Sequence, residues 1–120
     1  MRSTDTLDPK QFLPLSPAVF HILLCLAEGE RHGYAIKREI SKRTEGKLTL
    51  GAGALYGAIS KLLEQGLIEE SDERPDSHLD DVRRRYYRMT PQGRRAAQAE
   101  AARMRDLVQL ASVNLGFAKG

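Results

Sequence analysis

The residues best suited to chemistry lie in one stretch, GAGALYGAISKLLEQGL, between Gly51 and Leu67. At 100° per residue, helical spacing places three apolar side chains on one narrow stripe: Leu55, Ile59 and Leu62. The opposite face carries small residues together with Ser60 and Lys61. Such a face lets the helix backbone approach another surface closely, while a hydroxyl and an ammonium group can donate hydrogen bonds to it.

The glycines of this stretch need a physical reason. Glycine inside a helix costs about 1 kcal/mol relative to alanine, and Gly51, Gly53 and Gly57 all fall in the first turns. Either the start of the helix packs against a neighbouring element, or the glycines leave room for a partner to approach. The spacing alone does not separate these two interpretations.

Length and composition indicate one globular domain. The chain has 120 residues, of which 41% are hydrophobic and 29% charged, and its net charge is +3. Acidic side chains concentrate in residues 69–81, so the rest of the chain is strongly basic. A basic chain interrupted by one acidic loop is consistent with a polyanionic partner.

No metal, cofactor or catalytic centre is expected. His21 and Cys25 are spaced i, i+4, and His78 lies near three aspartates in the acidic loop, but a metal site needs three or four ligands held together. No nucleophile–base pair or phosphate-binding loop can be assembled from the sequence. We therefore expect a protein without enzymatic activity.

The single cysteine excludes an intramolecular disulfide and fits a reducing compartment. No secretory leader opens the chain, and the longest apolar run, Ile22–Ala27, is too short to span a bilayer. The expected location is the cytoplasm, with no membrane partner.

Capping signals divide the chain into elements. Ser16-Pro17 and Thr90-Pro91 each combine an N-cap side chain with proline at the first helical position. A loose arm is expected to join the fold near Phe12–Leu15. The predicted helices are Pro17–Glu28, Gly33–Arg43, Ala52–Gln65 and Pro91–Asn114, and the predicted strands are Leu67–Ser71 and Arg83–Met89. The connections are a turn at Gly29–His32, a glycine-rich loop at Thr44–Gly53 and a loop at Asp72–Asp81. In the second helix, Tyr34, Ala35, Ile36 and Ile40 are expected to be buried.

This order predicts a mainly α fold with a small β-hairpin. Three helices followed by a hairpin form a winged helix-turn-helix, here residues 15–90. Residues 1–14 form the N-terminal arm, and residues 91–120 form a long C-terminal dimerisation helix.

The last helix carries an apolar stripe longer than the small domain beside it can cover. Its members are Ala97, Ala101, Met104, Leu107, Val108, Ala111 and Leu115. Such a stripe pairs with a second copy of the chain, so we expect a homodimer. The alternative is a helix that folds back entirely onto its own domain.

Three segments resemble the PadR family of bacterial transcriptional regulators: HGYAI at 32–36, GALYGAISKLLEQGLI at 53–68 and RRRYYRMTPQGR at 83–94. The resemblance covers about residues 15–95. It implies a homodimeric repressor that binds an inverted-repeat operator, and it allows a small apolar effector between the protomers. Many members of the family have threonine in place of Ala54 and proline in place of Gly57, so this helix has fewer groups that can contact bases.

The physical argument also favours double-stranded DNA, because its major groove admits one α-helix and basic side chains bind its phosphates. The predicted contacts come from two helices and the second strand: Lys37, Arg38, Gly53, Ala54, Tyr56, Gly57, Ser60, Lys61, Arg84 and Arg88. Alternatives remain open, since Tyr56 could be a half-buried core residue and the two strand arginines could be solvated charges.

A second hypothesis belongs to a different class of function. A winged helix can act as a protein-interaction module without binding DNA, and the acidic loop 72–81 would then be the partner surface. That loop is also a poor neighbour for phosphates, because its charge has the same sign.

Overall fold

The computed structural model describes residues 8–71 and 85–116. Within these ranges the fold is mostly helical with one small sheet, as predicted. The helices are α1 (Pro17–Ala27), α2 (Gly33–Arg43), α3 (Ala52–Glu64) and α4 (Pro91–Leu115), and the strands are β1 (Arg31–His32), β2 (Ile68–Ser71) and β3 (Tyr86–Met89). A 3₁₀ helix, Pro9–Phe12, precedes α1.

Side-chain caps start the helices where the sequence predicts them. The Ser16 hydroxyl accepts a hydrogen bond from the Val19 amide at 3.2 Å, and the Thr90 hydroxyl accepts one from the Gly93 amide at 3.0 Å. Proline follows each cap, where its fixed φ suits the first helical turn. Because these signals are local, the helix boundaries follow closely from the sequence.

The three strands form an antiparallel sheet in the order β1-β3-β2. Arg31 pairs with Tyr87, and Ile68 pairs with Met89. The prediction of a simple turn at 29–32 was therefore wrong for Arg31–His32, because β3 pairs with these residues from far along the chain. Residues 83 and 84 of the predicted second strand lie outside the described residues.

The core lies between α1, α2, α3 and the sheet. The helices contribute small and medium-sized apolar residues to this core: Ile22, Leu23, Cys25, Leu26, Ile36, Ile40, Leu55, Ile59, Leu62 and Ala96. Tyr34 was predicted to be buried but is 54% exposed. Gly33, Ile36 and Ile40 supply the buried face of α2, and Tyr34 lies 100° around the helix from Gly33.

The segment before α1 joins the fold earlier than the predicted point near Phe12–Leu15, because the 3₁₀ helix begins at Pro9. The 3₁₀ helix packs against α4, and the Leu15 backbone lies near enough to the Glu100 carboxylate to contribute to lowering its pKa. Glu100 is completely buried, and two nitrogens of Arg103 donate to its oxygens at 2.8 Å. The chain that enters α1 therefore passes beside an ion pair of α4.

Burial along α4 ends early in the described chain. The helix has 25 residues, about 37 Å at 1.5 Å per residue, but its buried positions end at Glu100. Five large apolar side chains near its C-terminus are more than half exposed: Leu107, Val108, Leu110, Val113 and Leu115. Every helix in the described ranges is too short or too polar to cross a membrane.

The pKa of Glu100 predicts a pH-dependent contribution to stability. Hydrogen bonds from Arg103 outweigh burial and hold this pKa below the ordinary value of 4.5. Since the folded-state pKa is the lower one, the contribution is present above pH 4.5 and is lost as the pH falls through the folded value.

We expect Glu100→Gln to lower the free energy of unfolding at pH 7 by about 1–3 kcal/mol, because the two Arg103 N–H groups lose a charged acceptor. Urea denaturation between pH 7 and pH 3, at one protein concentration, measures the difference from wild type, which should shrink in acid. Glu64→Gln, at an exposed position on α3, is the matched control. A difference that stays constant across the pH range would contradict a role for the carboxylate charge.

Candidate nucleic-acid interface

The structure orients α3 as its apolar spacing predicts. Leu55, Ile59 and Leu62 are buried in the core. The opposite face is exposed and carries Gly53, Ala54, Gly57, Ser60 and Lys61. An open depression on this face is lined by Gly57, Ser60, Lys61, Leu63 and Glu64. The predicted α3 contacts other than Tyr56 are therefore brought together on one surface.

The glycines on this face have no neighbour to accommodate. A Cβ placed on Gly51, Gly53 or Gly57 would meet no atom within 4 Å among those considered in the described chain. Packing against another element of the described chain therefore does not explain them. The remaining interpretation is that they leave space outside the fold for an approaching partner.

The N-terminus of α3 differs from those of the other three α-helices in the described chain. Ser16, His32 and Thr90 each cap their helix through a side chain. Gly51 has no side chain and makes no such bond. The first amides of α3 lack a side-chain acceptor at the positive end of the helix dipole, an arrangement that favours anions.

Tyr56 lies on the shoulder of α3, where it packs against α2. It is half-buried and belongs to the edge of the core. Its hydroxyl would lie 2.6 Å from a Cβ on Gly33, so Gly33 makes room for the ring. Tyr56 therefore sets the spacing between the two helices of the helix-turn-helix.

The exposed face of α2 carries a preorganised cation. The Arg38 guanidinium lies over the Tyr34 ring, 5.3 Å from its centroid. Stacking on an aromatic face limits the conformations of arginine while leaving its N–H groups at the edge free to donate. The sequence missed Tyr34 as a surface residue, although the spacing of Gly33, Ile36 and Ile40 could have indicated it.

Arg88 on β3 is held by two carboxylates. Its Nε donates to Glu69 at 2.8 Å and its Nη1 to Glu30 at 3.4 Å. These bonds, chiefly the one to Glu69, raise the pKa of Arg88 above its ordinary value. The second oxygen of Glu30 accepts from the Ser71 hydroxyl at 2.8 Å. Contact with a phosphate would require Arg88 to leave or share these partners.

Two other predicted features of the hairpin lie outside the described residues. They are Arg84 and the acidic loop 72–81. His78, considered above as a metal ligand, also falls there. Among the residues that the structure does describe, no three His, Cys, Asp or Glu side chains are grouped to hold a metal ion. Burial raises the pKa of the Cys25 thiol, which keeps it protonated within the core.

The stripe predicted on α4 changes character along the helix. Ala97 packs against the core, and Met104 and Ala111 are partly buried. Ala101, Leu107, Val108 and Leu115 are exposed. Leu110 and Val113, which the stripe omitted, are exposed as well, so the apolar surface is wider than predicted.

A family model described as the transcriptional regulator PadR-like family matches residues 22–99. The chain belongs to this family. PadR-like proteins are transcriptional regulators and not enzymes, so the predictions of family and of a non-enzymatic function are confirmed. The matched range includes the helix-turn-helix, the sheet and the first turns of α4.

Solved structures support the same fold. A transcriptional regulator from Clostridium thermocellum has a TM-score of 0.68 at 23% identity, with 96% of this chain and 99% of that chain covered. A PadR family transcription regulator from Clostridium difficile has a TM-score of 0.67 at 22% identity, with 84% and 100% covered. At these identities the likeness shows the fold.

A curated relative is longer than this chain. It is an uncharacterised 37.1 kDa protein from a transposon of Streptomyces fradiae, 35% identical over 83 residues. The match covers 69% of this chain and 21% of that protein. This PadR-like chain thus spans about a fifth of the length of that relative.

The contact between Tyr56 and Gly33 predicts strong coupling between the two positions. We expect Gly33→Ala to destabilise the protein by about 1–3 kcal/mol, because the added methyl displaces the ring. In a Tyr56→Ala background the same change should be nearly neutral. Chemical denaturation of both single variants and the double variant closes the cycle. Equal costs in the two backgrounds would show that the ring does not depend on Gly33.

Proposed function

We propose that this PadR-like protein is a sequence-specific DNA-binding repressor. It acts in the cytoplasm as a homodimer on an inverted-repeat operator. Residues 15–90 form the DNA-binding unit, and residues 91–120, which include α4, form the dimerisation unit. Repression needs only that the bound dimer occupies a promoter, so no further activity is required of these residues.

The open face of α3 is the observation that carries the proposal. The major groove of B-DNA is about 12 Å wide and accepts one helix of about 10–12 Å diameter. Gly53, Ala54 and Gly57 keep this face shallow, and a Cβ on Gly53 or Gly57 would meet no atom of a neighbouring described element within 4 Å. The N-terminus of α3, which has no side-chain cap, places the positive end of the helix dipole toward the phosphates.

Cations around α3 supply the affinity in this proposal. Lys61 lies on the open face of α3, and Lys37 and Arg38 lie on α2, the helix that packs against α3. Phosphate contacts of this kind dominate protein–DNA affinity. Arg38 ranks first among them because Tyr34 already orients it. Arg84 and Arg88 are secondary contacts in the proposal, since Arg88 must first release its carboxylate partners.

Few side chains on α3 are able to distinguish bases. Ser60 and Lys61 can donate to base edges, Tyr56 is half-buried against Gly33, and Ala54 has no polar atom. A helix with so few polar groups gains specificity from the shape and deformability of the DNA as well as from direct contacts. The glycines contribute by allowing the backbone to lie close to the groove.

The exposed apolar side chains near the C-terminus of α4 support the homodimer. Its five exposed apolar side chains form a surface that water solvates poorly, and a second α4 would cover them. Two α3 helices would then contact half-sites about 34 Å apart, one turn of the DNA. A small apolar effector, which the family resemblance allows, would act by binding this surface and altering that separation.

We expect the affinity for operator DNA to fall steeply as salt rises, because phosphate contacts release counterions. Lys61→Ala should weaken binding and reduce the magnitude of the slope of log K against log salt by about 1. Lys10→Ala, at an exposed position on the 3₁₀ helix, is the matched control. Fluorescence anisotropy with a fragment selected from genomic DNA measures both the affinity and its dependence on salt.

Selecting bound fragments from genomic DNA distinguishes a DNA-binding repressor from a protein-interaction module. A protein-interaction module would not enrich any fragment over random DNA. A flat salt response on an enriched fragment would contradict the phosphate contacts assigned to α2 and α3.

Dimerisation predicts a clear response to charge on α4. Leu107→Glu should yield monomers, because a buried carboxylate between two apolar helices has no partner. Gln98→Glu, which places the same charge at an exposed position of α4 about 180° around the helix from Leu107, should remain dimeric. Sedimentation velocity distinguishes the two states. A dimer unchanged by Leu107→Glu would rule out this part of α4 as the interface.

A further inference from the structure

The end of α3 is bonded directly to the start of α4. The Thr90 hydroxyl donates to the Gly66 carbonyl at 2.7 Å, and the Thr90 amide donates to the Leu67 carbonyl at 3.1 Å. The Gln92 side chain donates to the Gln65 carbonyl at 3.5 Å. We call these contacts, together with Gly93, the α3–α4 junction.

Gly93 brings the two backbones into direct contact at this junction. A Cβ on Gly93 would overlap the Leu67 carbonyl oxygen and would lie 2.9 Å from its carbon. Both are backbone atoms, which cannot rotate away as the end of a side chain can. Any residue larger than glycine therefore moves α4 relative to Leu67.

The junction has little freedom on the α3 side. The Leu67 amide donates to the Leu62 carbonyl at 3.0 Å and the Gly66 amide to the Leu63 carbonyl at 3.1 Å. Gly66 has a φ of +75°, which favours glycine and closes the helix end. Since Leu67 is completely buried, its carbonyl is a fixed support for α4.

The Thr90 hydroxyl joins both helices through one atom. It accepts the Gly93 amide of α4 at 3.0 Å while donating to the Gly66 carbonyl after α3. The capping bond of one helix and the closing residue of the other thus depend on the same side chain. A change there alters both the start of α4 and its attachment.

From these contacts we infer that Thr90 and Gly93 are positioning residues that set the half-site spacing the dimer accepts. The inference rests on the proposed function, because it requires two α3 helices held through α4. A tilt of about 10° at the junction moves the far end of a 37 Å helix by about 6 Å. The rise of B-DNA is about 3.4 Å per base pair, so this tilt corresponds to about two base pairs.

The test is binding to a series of inverted repeats in which the spacer changes by one base pair at a time. Wild type should have one optimum spacing. Gly93→Ala should bind at least about tenfold more weakly at that spacing and recover at a spacing about one or two base pairs away. Gln98→Ala, at an exposed position on α4, should keep the wild-type optimum.

Thr90→Val provides a second variant if Gly93→Ala fails to fold. It removes the hydroxyl that joins the helices and should shift or broaden the optimum, while Thr90→Ser keeps the hydroxyl and should restore it. Affinity for a single half-site should equal that of wild type in every variant.

The possible failures are distinct. An unchanged optimum, with affinity reduced equally at all spacings, would overturn the inference while leaving the proposed function intact. A wild type that prefers no DNA over random fragments would overturn both.

Discussion

Burial of one face of α3 is the constraint on which the rest of the arrangement depends. Leu55, Ile59 and Leu62 fill the core beneath it, and each such side chain contributes about 1.5–3 kcal/mol through burial. The helix cannot rotate without exposing them. Its other face must therefore meet solvent, and that face carries glycine, alanine, serine and lysine. The core thereby determines which residues are available to a partner.

Local signals explain how much of the fold could be predicted from the sequence. Ser16-Pro17 and Thr90-Pro91 predict where two helices begin, and the spacing of Leu55, Ile59 and Leu62 predicts which side of α3 is buried. Contacts between segments that are far apart in the chain could not be predicted from such local signals. Arg31–His32 becomes a strand because β3 lies beside it, and the 3₁₀ helix Pro9–Phe12 packs against α4. Such contacts depend on residues more than fifty positions away.

In the candidate site, too, some residues were predictable from local patterns and others were not. Helical periodicity placed Ser60 and Lys61 on the open face of α3, because that face follows from a local pattern. The prediction misplaced Tyr34, because a residue without a side chain, Gly33, occupies the buried position of α2 beside it. It also gave no sign that Arg88 has two carboxylate partners, since Glu30 and Glu69 come from other parts of the chain.

The ion pairs of Arg88 have a consequence for how such a protein searches a genome. Loose surface cations bind any DNA, so each one lengthens the time spent on wrong sites. Arg88 shares its charge with Glu69 and Glu30 and therefore adds little to this unspecific attraction. In the proposed DNA-binding role, an arginine neutralised in this way would let the protein leave non-cognate DNA sooner. Arg88 would then affect the speed of target location more than the strength of the final complex.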